Sequence, residues 1–151
     1  MQVSRLLFNF DGRLALSQYW GCNVVLVLPA LVLYGILSFV ALGKIELETN
    51  SPKGALVELV VILLLLYPCS AVGVKRLHDL NLSGWWFVLI AALAFASLIA
   101  TAAGLVGTPD APNLISRIFQ WGGNLLYIVL GLVHGTEGFN QYGPDPRWKQ
   151  I

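Results

Sequence analysis

Between Trp20 and Leu42 the chain runs for 23 residues without a charged side chain, and three further apolar runs follow. A bilayer core about 30 Å thick takes roughly 20 apolar residues of helix at ~1.5 Å per residue, so such a run fits a membrane better than the core of a small soluble domain. The composition agrees: 57% of residues are hydrophobic and 11% charged, against about 25% charged in a soluble domain. Four crossings use up most of the 151 residues. The expected organisation is therefore a single membrane domain over 1–151 with no separate soluble domain.

The small-residue triplet Ala41-Leu42-Gly43 at the end of the first run is like a signal-peptide cleavage site. The run is, however, longer than the roughly 7–15 residues of a signal h-region, which predicts an uncleaved membrane helix. After the polar stretch Lys44 to Gly54 comes a second run, Ala55 to Val74, interrupted only by Glu58. The residues Lys75 to Gly84 then read as a short polar connection, a tight hairpin. Trp85-Trp86 opens a third run that stays uncharged to Gly107, and the turn-forming cluster Thr108 to Asn113 separates it from a fourth, Leu114 to His134. The fourth is polar at its start, with Arg117, Gln120 and Asn124; Arg117 can snorkel to the interface. The tail, Gly135 to Ile151, carries Glu137, Asp145, Arg147 and Lys149, with glycines and prolines spaced to stop any helix.

These readings predict an all-α integral membrane protein. It is a four-helix transmembrane bundle with spans at about 20–42, 55–74, 85–107 and 114–134, and with a small cytoplasmic cap made by the N-terminal arm, loop two and the tail. Four spans put Arg5, Arg13, Lys75, Arg76, Arg147 and Lys149 on one face and Lys44, Lys53 and Arg117 on the other. By the positive-inside rule both termini are cytoplasmic. Trp20, Trp85 and Trp86 then fall at the cytoplasmic interface, where an indole buries its ring and keeps its N–H wet.

Nine Lys and Arg against eight Asp and Glu leave no basic surplus for nucleic acid. Cys22 and Cys69 lie in apolar stretches without metal-ligand spacing, so neither a metal site nor a cofactor is expected. Ala92, Ala96, Ala100 and Gly104 recur every four residues as a seam for close helix packing or self-association into a homo-oligomer. Pro29 and Pro68 remove backbone donors inside their helices and favour bends. Glu58 is an intramembrane acid near the outer end of its span, where snorkelling to water makes a charge cheap.

The richest polar segments are Asp11-Gly12-Arg13, Arg76-Leu77-His78-Asp79 with Ser83-Gly84, and Gly135 to Pro146, all on the same predicted face. The economical picture folds the tail across loop two and the arm, with Arg76 pairing with Asp11 or Asp145 through charge-assisted hydrogen bonds. The candidate residues of this cap are Asp11, Arg13, Arg76, His78, Asp79, Ser83, Asn140, Tyr142 and Asp145.

Three motifs carry a family resemblance: Phe10-Asp11-Gly12-Arg13 followed by Tyr19-Trp20; Arg76-Leu77-His78-Asp79 with Ser83-Gly84-Trp85-Trp86; and Gly138, Asn140 and Tyr142-Gly143-Pro144-Asp145-Pro146. Together, over about residues 6–148, the chain resembles the domain of unknown function 805 family. That resemblance implies a small multi-pass protein of the bacterial inner membrane and brings no biochemical activity with it. It also implies basic residues at the positions held here by Leu16, Leu82 and Gln141, so a broad basic surface that grips phosphate is not expected.

Three readings of function follow. The first is a noncatalytic membrane protein, with membrane lipids around it, whose cap binds a protein partner or a lipid head group. In the second, a small oligomeric proton-coupled transporter places Glu58 in its path. In the third, a membrane-surface enzyme uses His78 as general base, Asp79 or Asp11 as its orienter and Ser83 as nucleophile. Adjacent side chains such as His78 and Asp79 point apart, and no oxyanion loop, metal set or phosphate-cradling glycine loop accompanies them, so no catalytic residues are assigned. His78, with an ordinary pKa of about 6.5, is the one group that would make the cap respond to pH.

Overall fold

The computed structural model describes residues 3–43, 52–102, 105 and 114–150. Five α-helices follow one another: α1 (Val3–Phe8), α2 (Leu16–Leu42), α3 (Pro52–Asp79), α4 (Trp85–Ala102) and α5 (Leu114–Leu132). A 3-10 turn, Pro146–Gln150, closes the tail. Among the described residues there is no strand, only an isolated bridge between Asn140 and Gly143. Two helices, over Leu16–Ala41 and Leu56–Asp79, are long and apolar enough to cross a membrane.

The helix ends differ from the sequence expectation in instructive ways. α2 starts at Leu16, four residues before the uncharged run, because Gln18 accepts a hydrogen bond from the Ala15 amide at 3.3 Å. That bond is the N3-to-N-cap half of a capping box, made without a polar side chain at Ala15. At its other end Gly43 takes a left-handed φ of 73° and bonds back to Phe39, the glycine stop of a helix C-terminus.

The larger difference is at α3. Lys75 to Asp79, expected in the connection, are the last turn and a half of the helix, so loop two is only Leu80 to Gly84. Charge does not break a helix when the head groups find partners, and here they do. The stop comes at Asn81, whose φ of 59° is left-handed. Its amide bonds the His78 carbonyl at 3.0 Å and the Leu82 amide bonds Leu77 at 2.9 Å. This paired 5→2 and 6→1 arrangement is a Schellman stop with asparagine in place of glycine.

α2 lies along α3, α3 along α4, α4 along α5, and α5 returns to α2, while α1 packs on α3. The buried apolar cluster is small and sits at one end of the bundle: Leu7, Leu14, Tyr19, Cys22, Val72, Leu77 and Leu130. Elsewhere the outer faces of α2 and α3 expose Val32, Phe39, Val40, Leu63 and Leu64. The alanine seam of α4 is not used inside the chain along its length: Ala100 is buried, but Ala92 and Ala96 are exposed, and Gly104 lies outside the described residues.

Candidate functional site

The buried end is built on Arg76, which is fully enclosed on the inward face of α3. A guanidinium carries five N–H donors and tolerates burial only if they are satisfied. Its Nε donates to the Leu130 carbonyl at 2.8 Å, Nη1 to the Leu14 carbonyl at 3.3 Å and to Asp79 Oδ2 at 2.5 Å, and Nη2 to the Val133 carbonyl. The last carbonyls of a helix have no partner within it. Arg76 therefore finishes the C-terminus of α5 from the side, and Trp20 does the same for Gly131 through its indole N–H at 3.0 Å.

Asp79, one turn after Arg76, also accepts from Arg13. Arg13 Nε reaches Oδ1 at 3.0 Å and Nη2 stands 2.9 Å from the same oxygen. One carboxylate thus joins two guanidiniums, and all three side chains are almost wholly shielded from solvent. The remaining donors of Arg13 hold the tail: Nη1 bonds the carbonyls of Gly138 at 2.5 Å and Gly143 at 3.3 Å, and Nη2 that of Thr136. The tail answers in kind. The Thr136 backbone amide and hydroxyl both donate to the Asp79 carbonyl, at 2.8 and 3.0 Å, and Asn140 Nδ2 donates to the His78 carbonyl at 2.8 Å. Gly135 must be glycine for this approach, since a Cβ there would lie 1.8 Å from Asp79 Oδ2.

Around this core each neighbouring group has its own place. Lys75, also buried, caps α1 by donating to the carbonyls of Arg5, at 3.1 Å, and Leu6. The His78 ring lies flat on Tyr142, centroids 3.8 Å apart and planes 4° apart, with Nδ1 3.2 Å from the Gly12 carbonyl. Asp145 receives the Gly138 amide at 3.2 Å and the guanidinium and backbone of its neighbour Arg147. Those hydrogen bonds, the Arg147 guanidinium above all, hold the Asp145 carboxyl well below the usual carboxylate range. Among the described residues no buried side-chain nitrogen or oxygen lacks a partner.

Measured against the sequence expectations, the three polar segments do meet. Arg13, Arg76, His78, Asp79, Asn140, Tyr142 and Asp145 all belong to one connected arrangement. The expected pairing of Arg76 with Asp11 or Asp145 is wrong: Arg76 pairs with Asp79, because the helix continues through both and sets them three residues apart on one face. Asp145 is held by Arg147 instead. Asp11 stays exposed outside the network, its amide bonded to Asn9. Ser83 is exposed at the start of α4, with its hydroxyl 3.4 Å from the Trp85 amide. Trp20 does not keep its N–H in water but spends it on Gly131. Glu58 is half-buried in the second turn of α3, far along the helix from this end. Lys75, Gly135 and Thr136 lie within the segments of the expected cap but not among its candidate residues, and the indole of Trp20 joins from outside them. Of these, only Lys75 had a visible signal, a second base beside Arg76 at the end of an apolar run.

The structure defines an all-helical protein with membrane-length helices and a charged end closed on itself. The chain matches the family described as Protein of unknown function (DUF805) over residues 7–144, and it belongs to that family. It is similar to the uncharacterized protein YiiR of Escherichia coli strain K12, 30% identical across 96% of this chain and 90% of that protein. It is also similar to the inner membrane protein YhaH of the same strain, 26% identical across 97% of this chain and 94% of that one. No solved structure matches.

Proposed function

We propose that this is a noncatalytic, multi-pass protein of the bacterial inner membrane, with α2 to α5 all crossing and both termini in the cytoplasm, whose closed polar end displays a fixed surface to a protein partner. The membrane reading is supported by the two long apolar helices, by the likeness to YhaH, and by helix lengths. The 18 residues of α4 and 19 of α5 rise roughly 27 to 28 Å at ~1.5 Å each, close to a bilayer core. The start of α2 lies beside the end of α5, and Gly73 near the end of α3 meets Phe87 at the start of α4, so one crossing direction for α2 fixes the others. The excess of Lys and Arg on that end favours the cytoplasm.

The observation that carries the partner reading is an exposed aromatic pair on a polar end whose buried charges are all used up within the chain. Asp79, the carboxylate an enzyme would need to orient His78, is held by two guanidiniums. Arg13, Lys75 and Arg76, the bases that would grip a lipid phosphate, are buried on carbonyls and on Asp79. Outward on the tail, beside the exposed Glu137 and Arg147, stand Phe139 and Trp148, an edge-to-face pair 5.3 Å apart, 73% and 52% exposed on a tail that Arg13 and Asn140 hold in place. Rigid exposed aromatics of this kind anchor protein interfaces.

Extraction of the protein from its native membrane in a lipid-preserving polymer, with mass spectrometry of what accompanies it, tests the reading. The double variant Phe139→Ala/Trp148→Ala is expected to lose a stoichiometric protein while its melting temperature stays that of the wild type. An unchanged set of companions, or loss of a lipid alone, would contradict it.

A further inference from the structure

A second feature lies one turn deeper in the bundle. A cavity of about 210 Å³ opens between α2, α3, α4 and α5, with walls that are apolar apart from Tyr19, Asn23, Cys69 and Tyr127. Packed interiors hold few voids larger than a water molecule. An apolar cavity of about 150 Å³ stays dry and takes up benzene, so this one has the volume of a single substituted six-membered ring. Phe87, which forms part of the wall, presses against Gly73 so closely that a Cβ there would sit 2.3 Å from the ring. Any larger residue at that position would push the phenyl group away from α3.

The polar groups in the wall set the chemistry. Tyr19 and Tyr127 offer hydroxyls, and Asn23, whose side-chain amide donates to the Tyr19 carbonyl at 2.9 Å, holds the turn that carries the first of them. Aromatic walls with phenolic hydroxyl donors define a site for a neutral ring that bears carbonyl oxygens.

We propose that this cavity binds the ring of a quinone-type molecule dissolved in the bilayer, its ring carbonyls accepting from the Tyr19 and Tyr127 hydroxyls while the hydrocarbon tail stays in the lipid. The inference rests on the membrane reading of the bundle and is independent of the partner surface at Phe139 and Trp148.

The test uses the full chain in phospholipid nanodiscs free of quinone, titrated with a fully substituted benzoquinone carrying a decyl tail. Bound quinone is counted against empty nanodiscs. The expected result is saturable uptake approaching one ring per chain. Ile90→Trp, which fills the cavity from α4, is expected to abolish it, and Leu93→Trp, on an exposed position of the same helix, to leave it intact. Tyr127→Phe, which removes a hydroxyl and nothing else, is expected to weaken binding several-fold, and it decides the matter if Ile90→Trp does not reconstitute. Uptake no greater than in empty nanodiscs would overturn the proposal. So would binding unchanged by a folded Ile90→Trp or by Tyr127→Phe, or displacement by n-decanol as effective as by the quinone. The first of these outcomes leaves the partner reading untouched, because the aromatic pair on the tail is not part of the measurement.

Discussion

Along the outer faces of α2 and α3 large apolar side chains stand exposed, Val40 at 77% and Leu64 at 61%, whereas a few turns away Arg76 is completely enclosed and Asp79 retains 3%. In water this distribution would be inverted. In a bilayer the lipid tails are as apolar as leucine, so burying Leu64 against another helix gains little, while an unsatisfied carbonyl or charge costs several kcal/mol. The two regions therefore contribute to the fold by different physics: the helix faces by matching the lipid, and the charged end by leaving no polar group without a partner. The tail is fixed mainly by the second kind of interaction, with the Tyr142 ring on His78 as its one stacked contact to the bundle among the described residues.

That contrast can be broken most severely at Arg76. Arg76→Ala is expected to destabilise the protein in nanodiscs by about 3–5 kcal/mol, the usual cost of removing one member of a buried ion pair, because Asp79 Oδ2 loses its partner while Arg13 still holds Oδ1. Here it also strips partners from the carbonyls of Leu14, Leu130 and Val133. Thermal unfolding followed by circular dichroism reads this directly. Gly135→Ala comes next. Its methyl group would occupy the place of Asp79 Oδ2, and the loss should be about 1–3 kcal/mol, typical of overpacking, with faster proteolysis of the tail.

Acid gives a smaller, local effect. Arg147 and the Gly138 amide lower the folded pKa of Asp145 below its unfolded value of about 3.9. The contribution of that carboxylate is therefore fully present above the unfolded value and is lost as pH falls through the folded one. Exchange protection of the Gly138 amide should stay constant from pH 8 to 5 and decline only in stronger acid. In Asp145→Asn it should be weak throughout. Smallest of all is Leu64→Ala on the lipid-facing side of α3, expected to shift stability by less than about 0.5 kcal/mol because no internal contact of consequence is removed. A loss there comparable to that of Arg76→Ala would erase the distinction between the two regions.

The helical character of the chain and its longest apolar stretches were legible because apolar runs of membrane length have few other structural meanings. The meeting of the three polar segments was legible too, since short connections and an even number of expected spans bring them to one end. The pairing within that end was not. Reading Lys75 to Asp79 as a loop hid the i,i+3 relation of Arg76 to Asp79, which only a continuing helix creates. Nor does a sequence announce that Arg13 and Arg76 will take backbone carbonyls, because those acceptors belong to every residue alike. Gly135 illustrates the same limit: its need for a bare Cα comes from Asp79, 56 positions away in the chain, and from nothing near it.

The most direct test of this account is a double-mutant cycle between Arg13 and Asp79 in a lipid bilayer, with Arg13→Ala, Asp79→Ala and the pair measured by thermal or chemical unfolding. If buried charge pairing is what closes the polar end, the two losses will be strongly non-additive, with a coupling of about 1–3 kcal/mol, since one carboxylate bridges both guanidiniums. Losses that simply add would contradict it, and would assign the stability of that end to the small apolar cluster around Leu14 and Leu77 instead.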